Sequence, residues 1–368
     1  MHPPTLRTVG SFCARRSYQI RKCSSGAAYV EKVKLLDYWK LQDSALQSEF
    51  PRSRLLLMVD KRVLVQKVDG DIKMIENGVS ELRKKLGDYG LIFDQSHSCL
   101  LDAVPGPQND LIPLFGTSID AAEMPDDSPI SKTDILGELG GSLGGKFTSL
   151  RTAMLAMNDE RQRLLLAKFQ SLSRWSSIYR RCPKCAAALK MRVSKSGAEC
   201  VTCQRVYYPT LSPVAITIVT DESNENCLLV RHRGSANGVF TVVAGFAHTG
   251  ESLAECARRE IAEEVGIFAH LVQQLNMSQP WPMPDSSMMV AHRAVADRNQ
   301  EVVVCPDELE TAQWFSRDQV RKALETTVAD PFLKGLPRTL DDRQRLHYIP
   351  PRGAIAHAII RDWVQGKF

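Results

Sequence analysis

Residues 245–267 read GFAHTGESLAECARREIAEEVGI, and three carboxylates, Glu260, Glu263 and Glu264, crowd into one short stretch of it. The flanking residues predict a single helix. Ser252 with Glu255 three positions on has the pattern of a capping box. Leu253, Ala257, Ile261 and Val265 recur every four residues and mark a buried stripe. Gly266 suits the left-handed position that ends a helix. On such a helix Glu260 and Glu264 share a face, with Glu263 beside them. Like charges at this spacing cost about 0.2–0.5 kcal/mol per pair, so the crowding needs a reason. A solvated acidic face is one. The other is a site for a hard cation such as Mg²⁺ or Mn²⁺, which takes oxygen ligands from a few carboxylates and from substrate phosphates. Arg259, four residues before Glu263, is placed to hold that carboxylate.

Working outward, VAITIVT (214–220), CLLVR (227–231) and VFTVVA (239–244) precede the helix as apolar strand candidates. MMVAHRAVA (288–296), EVVV (301–304) and QWF (313–315) follow it, with helical stretches near 316–325 and 353–366. Strands interleaved with helices predict an α/β sandwich over 211–368. Just upstream, Cys182, Cys185, Cys200 and Cys203 give C-x2-C-x14-C-x2-C. Two such knuckles bring four thiolates into a closed tetrahedron, the arrangement of a structural Zn²⁺ ribbon, here placed at 179–210. The other six of the ten cysteines are scattered and expected to behave as small apolar side chains.

The first half of the chain is less informative. RLLLMVDKRVLVQ (54–66) and LIFD (91–94) look like strands, and VPGPQNDLIP (104–113) like a loop. Leu164, Leu165, Phe169, Leu172 and Trp175 have helical spacing within 148–178 and read as core. GGSLGGKF (140–147) imitates a phosphate-binding loop, but Phe147 stands where a Ser or Thr is required, so a flexible linker is expected. Residues 31–178 thus form an N-terminal, mixed, mostly β domain. Residues 1–30 hold five Lys or Arg, four Ser and no acid, the make-up of a mitochondrial transit peptide and hence of a matrix protein; a disordered basic tail is the alternative reading. They carry the whole net charge of +5, which leaves a near-neutral body with no bulk attraction for nucleic acid. No run of about 18 apolar residues predicts a membrane span.

The full pattern around the glutamates, Gly245, Glu251 and then REIAEEVGI (259–267), fits the Nudix box G-x5-E-x7-R-E-U-x-E-E-x-G-U without a departure. The chain therefore resembles the Nudix hydrolases, metal-dependent enzymes that split a diphosphate linked to a nucleoside. SQPWPMPDS (278–286) and the cysteine ribbon resemble the NADH pyrophosphatase branch, with Met283 where Phe is usual. PVAIT, AGF, IAH and a C-terminal Trp read like its animal mitochondrial members (Nudix type motif 13). The resemblance implies a fold, α+β with a Nudix α/β/α sandwich behind a zinc ribbon, and a site. Glu260, Glu263, Glu264, Glu308 and the Ala244 carbonyl would hold the cations, with Glu263 or Glu264 as general base. Tyr208, Phe246, Gln279, Pro280, Trp281, Pro282, Met283, Pro284, Asp285, Ser286 and Ala356 would contact substrate. Trp281, Tyr208 and Phe246 would supply flat surfaces for the bases. Lys195 stands where bacterial members carry a substrate-binding Glu.

The leading expectation is hydrolysis of NAD(P)H or NAD to AMP, or its 2′-phosphate, and the nicotinamide mononucleotide, by a homodimer. Removal of NAD caps from RNA breaks the same bond and is the alternative; the neutral body argues against it. A non-catalytic nucleotide sensor is a third reading, against which the intact glutamates count.

Overall fold

A computed structural model of the chain describes residues 25–120, 132–284, 286–337 and 345–368. Most of the expected transit peptide, and Asp285 of the substrate stretch, lie outside the described residues. The first helix, α1 (Ser25–Leu41), runs straight through the boundary expected at residue 30.

The N-terminal sheet is built from β1 (Arg54–Val59), β2 (Arg62–Val68), β3 (Asp71–Met74), β4 (Asn77–Gly78), β5 (Ser98–Pro105), β6 (Leu111–Ile119) and β7 (Lys146–Ser149). Its order is β3-β2-β1-β6-β5, with β4 also on β1 and β7 also on β2. The β1–β2 hairpin turns at Asp60 and Lys61, both at positive φ (48° and 58°), as a tight hairpin requires. Helices cover both faces, which is why β1 reads as a continuous apolar run rather than an alternating one. On one face Leu55, Leu57 and Val59 meet residues of α1, α2 (Asp43–Glu49), α3 (Val79–Gly87) and α4 (Lys132–Ser142). On the other, Leu56 and Met58 meet Met154 of α5 (Leu150–Ala156) and Leu166 and Phe169 of α6 (Glu160–Ile178).

A small sheet of β8 (Leu189–Met191), β9 (Ala198–Cys200) and β10 (Val206–Tyr207) carries the cysteines. Beyond it lie β11 (Ser212–Thr220), β12 (Asn226–His232), β13 (Val243–Phe246), α7 (Leu253–Val265), β14 (Ala269–Trp281), β15 (Ser287–Ala296), β16 (Leu309–Ser316), α8 (Arg317–Ala329) and α9 (Ile355–Val364). The sheet order is β14-β15-β11-β12-β16, with β13 also on β11. Strands β11 and β15 run parallel in register from Ser212↔Ser287 to Thr220↔Val295. Ile216 and Ile218 face α8 and α9, where Trp363 is fully buried, while Val219 faces Ile261 and Val265 of α7. That is the expected α/β/α sandwich.

Several expectations need correcting. LIFD is not a strand; Leu91 and Phe93 are buried from irregular backbone. Nor is EVVV, whose Val303 amide bonds the Val265 carbonyl at the end of α7 instead. The stretch 148–178 is two helices, and Leu164 is exposed while Leu166 takes the core position. GGSLGGKF is no flexible linker: it closes α4 and opens β7, which pairs with β2. The expected loop 104–113 contains the end of β5 and the start of β6. The long strand β14 was not foreseen, because its polar and apolar residues alternate too irregularly over a largely exposed face.

Candidate active site

Helix α7 is capped as its sequence predicts. Ser252 Oγ accepts from the Glu255 amide, Glu255 reciprocates to the Ser252 amide at 3.0 Å, and Gly266 sits at φ 70°. This fixes the first turn and so the direction in which the glutamates project.

Arg259 organises them. Its guanidinium donates to both carboxylate oxygens of Glu251 (2.8 and 2.9 Å), to Glu260 (2.8 Å), to Glu263 (2.7 Å) and to the Phe246 carbonyl (2.8 Å). Glu251 also accepts from the His248 amide, and with Arg259 this holds its carboxyl down at about 2. The same contacts push the guanidinium of Arg259 well above its ordinary range. Glu251 is thus a permanent counter-charge that steadies the arginine, a role the box pattern alone does not disclose.

Gly245 on β13 is required by close approach. A Cβ there would lie 1.8 Å from the Glu260 Cδ, so the Glu260 carboxylate rests directly on the bare glycine. Glu264 points inward. It is 2 % exposed, and its Oε2 has no hydrogen-bond partner. Burial, then repulsion from Glu260 and Glu308, pushes its carboxyl up to about 8 against an amide bond from Ala244. Burial also raises Glu260. Glu308 stands just before β16, with its backbone bonded to Arg233 and Cys305. Glu263, by contrast, has a side chain 57 % exposed. A buried, unpartnered carboxylate oxygen beside two more carboxylates is a site short of positive charge, and it fits a hard divalent cation.

The four cysteines converge more tightly. Cys182 and Cys203 sulfurs are 3.6 Å apart, those of Cys185 and Cys200 3.4 Å, and all four lie within 4.8 Å of one another. Among the described residues they are the one His, Cys, Asp and Glu group that meets this spacing. Tyr207, not Tyr208, reaches the cluster, its hydroxyl 3.2 Å from Cys182 Sγ. That bond helps pull the Cys182 thiol to about 6 although burial opposes it. Tyr208 is 59 % exposed and sits under the Arg192 guanidinium at 5.9 Å.

The expected substrate residues are divided among several environments. Phe246 is exposed at the end of β13, near the Arg259 cluster through its own carbonyl. Gln279 is already engaged: its amide donates to the Gly353 carbonyl and accepts from Ile355, both at 2.8 Å, so it caps α9. Gln279 and Pro280 line a cavity of about 390 Å³ with Arg163, Arg352 and Ala354, and none of the four glutamates lines it. Trp281 and Met283 are half-buried against the N-terminal core of Met154 and Phe169, a packing role the sequence did not signal. Pro282 is buried, Pro284 exposed and Ser286 half-buried. Ala356 is buried in α9. Lys195 lines a different cavity, with no residue of the box.

Residues 210–336 match the family described as NUDIX domain. The chain is 68% identical over 367 residues to NAD-capped RNA hydrolase ndx-9 of Caenorhabditis elegans, covering 99% of this chain and 98% of that one. It is 31% identical over 357 residues to the human protein named NAD(P)H pyrophosphatase NUDT13, mitochondrial (97% and 96%). The chain belongs to the Nudix hydrolases. A further relative of this Nudix enzyme, human NAD-capped RNA hydrolase NUDT12, is 34% identical over 216 residues, 56% of this chain and 42% of that one. These relatives are named for NAD-linked substrates, the class that the resemblance of the SQPWPMPDS stretch leads one to expect. Among the described residues no helix is long and apolar enough to cross a membrane.

Proposed function

We propose that the enzyme hydrolyses the diphosphate of an NAD moiety at the 5′ end of RNA, releasing nicotinamide mononucleotide and leaving a 5′-monophosphate. The observation that carries this reading is the 68% identity, over nearly the whole of both chains, to a relative named for that activity. It reverses the sequence-based order of preference, which put the free dinucleotide first. The exposure of Glu263, Phe246 and Tyr208 supports it, since a substrate with a long polymer attached needs an open site. Free NAD(P)H or NAD is the second reading, favoured by the 31% relative named for it.

Glu260, Glu264, Glu308 and the Ala244 carbonyl are the groups we assign to hold Mg²⁺ or Mn²⁺, with Glu263 completing the set. Held by these groups, a divalent cation would supply neutralising charge for the diphosphate and Lewis acidity for activating the attacking water. Arg259 keeps Glu260 and Glu263 oriented, and Glu251 keeps Arg259 from swinging to the substrate phosphates. Glu263 is the carboxylate open to solvent and accepts the proton of the attacking water; Glu264, buried with a free oxygen, serves as ligand. The new P–O bond forms as the bond from phosphorus to the bridging oxygen breaks, and the leaving phosphate carries away the electron pair. The cysteine ribbon holds Zn²⁺ as a structural element. We further assign a matrix location to the protein, a homodimeric assembly, and domain limits at 31–178, 179–210 and 211–368.

The test is full-length protein with Mg²⁺ or Mn²⁺ given NAD-capped RNA, NADH, NADPH and NAD in competition, with products identified by mass. Cap removal at a kcat/KM equal to or above that for the free dinucleotides is expected. A hundredfold preference for a free dinucleotide would move the assignment to the second reading.

A further inference from the structure

A second cavity lies away from the Nudix helix. It has a volume of about 580 Å³ and opens where the ends of β1 and β6, the last turns of α6 and the cysteine ribbon meet. Four cationic side chains line it: Lys61 from the β1–β2 turn, Arg174 and Arg180 from α6 and the residues just after it, and Lys195 from the β8–β9 turn. Two carboxylates, Asp60 and Asp120, stand on the sheet side. The balance is positive although the chain without its first 30 residues is near neutral. Arg174 and Asp120 are engaged with partners, but Lys61, Arg180 and Lys195, with Asp60 beside them, still leave an excess of positive charge that a bound anion would offset.

Lys195 is the informative member. Its backbone is held at φ 59° in a turn closed by Lys195 N to Arg192 O (3.0 Å) and Arg192 N to Gly197 O (2.9 Å). The turn is anchored to the N-terminal helices by Val193 N to Asp43 Oδ1 (3.0 Å) and Ser194 Oγ to Lys40 O (3.3 Å). The ammonium is therefore presented by rigid backbone, half-buried, and among the described residues it makes no ion pair or hydrogen bond. Burial pulls its proton affinity below the ordinary lysine range. The negative end of α6 faces the same space, which by itself would disfavour an anion. Much of it is already spent: Ser176 and Ser177 hydroxyls bond the Ser173 and Arg174 carbonyls, and Arg180 Nε bonds Ser177 O.

We propose that this cavity binds a phosphomonoester of mononucleotide size. Arginine recognises phosphate oxygens two at a time, and lysine adds a point charge. A volume of this order suits a small molecule rather than a bare ion, and Leu189 and Met191 of the ribbon give the organic body an apolar wall. Because the ligand would touch the N-terminal sheet, α6 and the ribbon together, its binding would stiffen the join between them. The site is independent of which NAD-linked substrate the glutamates act on.

The test is calorimetric titration of full-length, zinc-loaded protein in buffer without added Mg²⁺ or Mn²⁺, where the unneutralised glutamates repel phosphate. AMP and inorganic phosphate are the probes. AMP is expected to bind wild type and Glu264→Gln alike, and at least tenfold more weakly to Lys195→Asn and Arg180→Gln. Asn tolerates the left-handed backbone, and Lys195→Arg, which keeps the charge at the same φ, should retain binding and so exclude a folding defect. Phosphate binding as strongly as AMP, with the same sensitivity to Lys195→Asn, would keep the site and name free phosphate as its source. No AMP or phosphate binding to wild type, or unchanged binding to Lys195→Asn, overturns the proposal. So does a 5′-phosphorylated oligonucleotide whose affinity climbs with length, which would make the surface a nucleic-acid path.

Discussion

The chain gathers like groups in two places, four thiols in the ribbon and four carboxylates around α7, and it treats them in opposite ways. The thiols close to within 4.8 Å of one another, with a tyrosine hydroxyl and backbone amides completing the shell. The carboxylates are kept apart: Glu263 is drawn outward by Arg259, Glu260 is laid on Gly245, and Glu264 is buried with an oxygen unpartnered. A structural metal stabilises most when its ligands converge and no position is left open. A site that must admit substrate and water has to keep ligands that do not satisfy one another. On the function proposed above, the unmet charge on α7 would be the condition for activity, and it would make the fold less stable there without a bound cation.

The largest effect is expected at the closed cluster. Cys182→Ser or Cys203→Ser should lose the bound Zn²⁺ and unfold the ribbon, since apparent zinc-binding energies of about 10–16 kcal/mol in small fingers act as folding energy. Elemental analysis and thermal melts read this directly; stable, active protein free of zinc would break the comparison.

At the open cluster the expectation has the opposite sign. Glu264→Gln should cut turnover by about a thousandfold, roughly 4 kcal/mol of barrier, while the melting temperature without divalent metal holds or rises. The same logic sets a pH dependence. The Glu264 carboxyl is raised from 4.5 to about 8 in the fold, so the folded state binds the proton more tightly than the open chain does. Metal-free stability should therefore fall as pH rises from about 4.5 through about 8. Mg²⁺ or Glu264→Gln should flatten that slope, and a metal-free wild-type melting temperature independent of pH would contradict it.

Gly353→Ala sharpens the comparison at the join between the two halves. A Cβ there would meet the Met154 carbonyl at 2.3 Å and Leu155 Cα at 2.7 Å, backbone that cannot step aside. A loss of about 1–3 kcal/mol is expected, with weaker substrate binding because Gln279 bonds the Gly353 carbonyl. Melting and KM measured on one preparation test both; an unchanged melting temperature would mean that the halves are not docked this way.

The smallest effect belongs to Trp281. Loss of one aromatic stacking surface costs about 1–3 kcal/mol, so Trp281→Ala should raise KM for nicotinamide substrates about tenfold and leave ADP-ribose, which lacks that ring, little changed. Its packing against the N-terminal core adds a modest loss of stability. Equal weakening of both substrates would make the residue purely a packing one.

The sequence by itself determined the elements whose signals are local. Ser252, Glu255 and Gly266 mark the ends of α7 because caps act within one turn, and the box and the cysteine spacing are legible because their residues are neighbours on one helix or one knuckle. Only the tertiary structure decided what depends on distant chain segments. Leu91 and Phe93 are apolar because the core needs them, and no periodicity distinguishes that from a strand. Glu264 becomes the buried carboxylate, and Glu263 the exposed one, because α7 packs against β11 and β13. Likewise Trp281 meets the N-terminal sheet, Gln279 is spent on α9, and Lys195 is turned into a cavity beside α6. Burial and charge balance are sums over everything that comes near, and what comes near is set by packing between segments that are not neighbours in the chain.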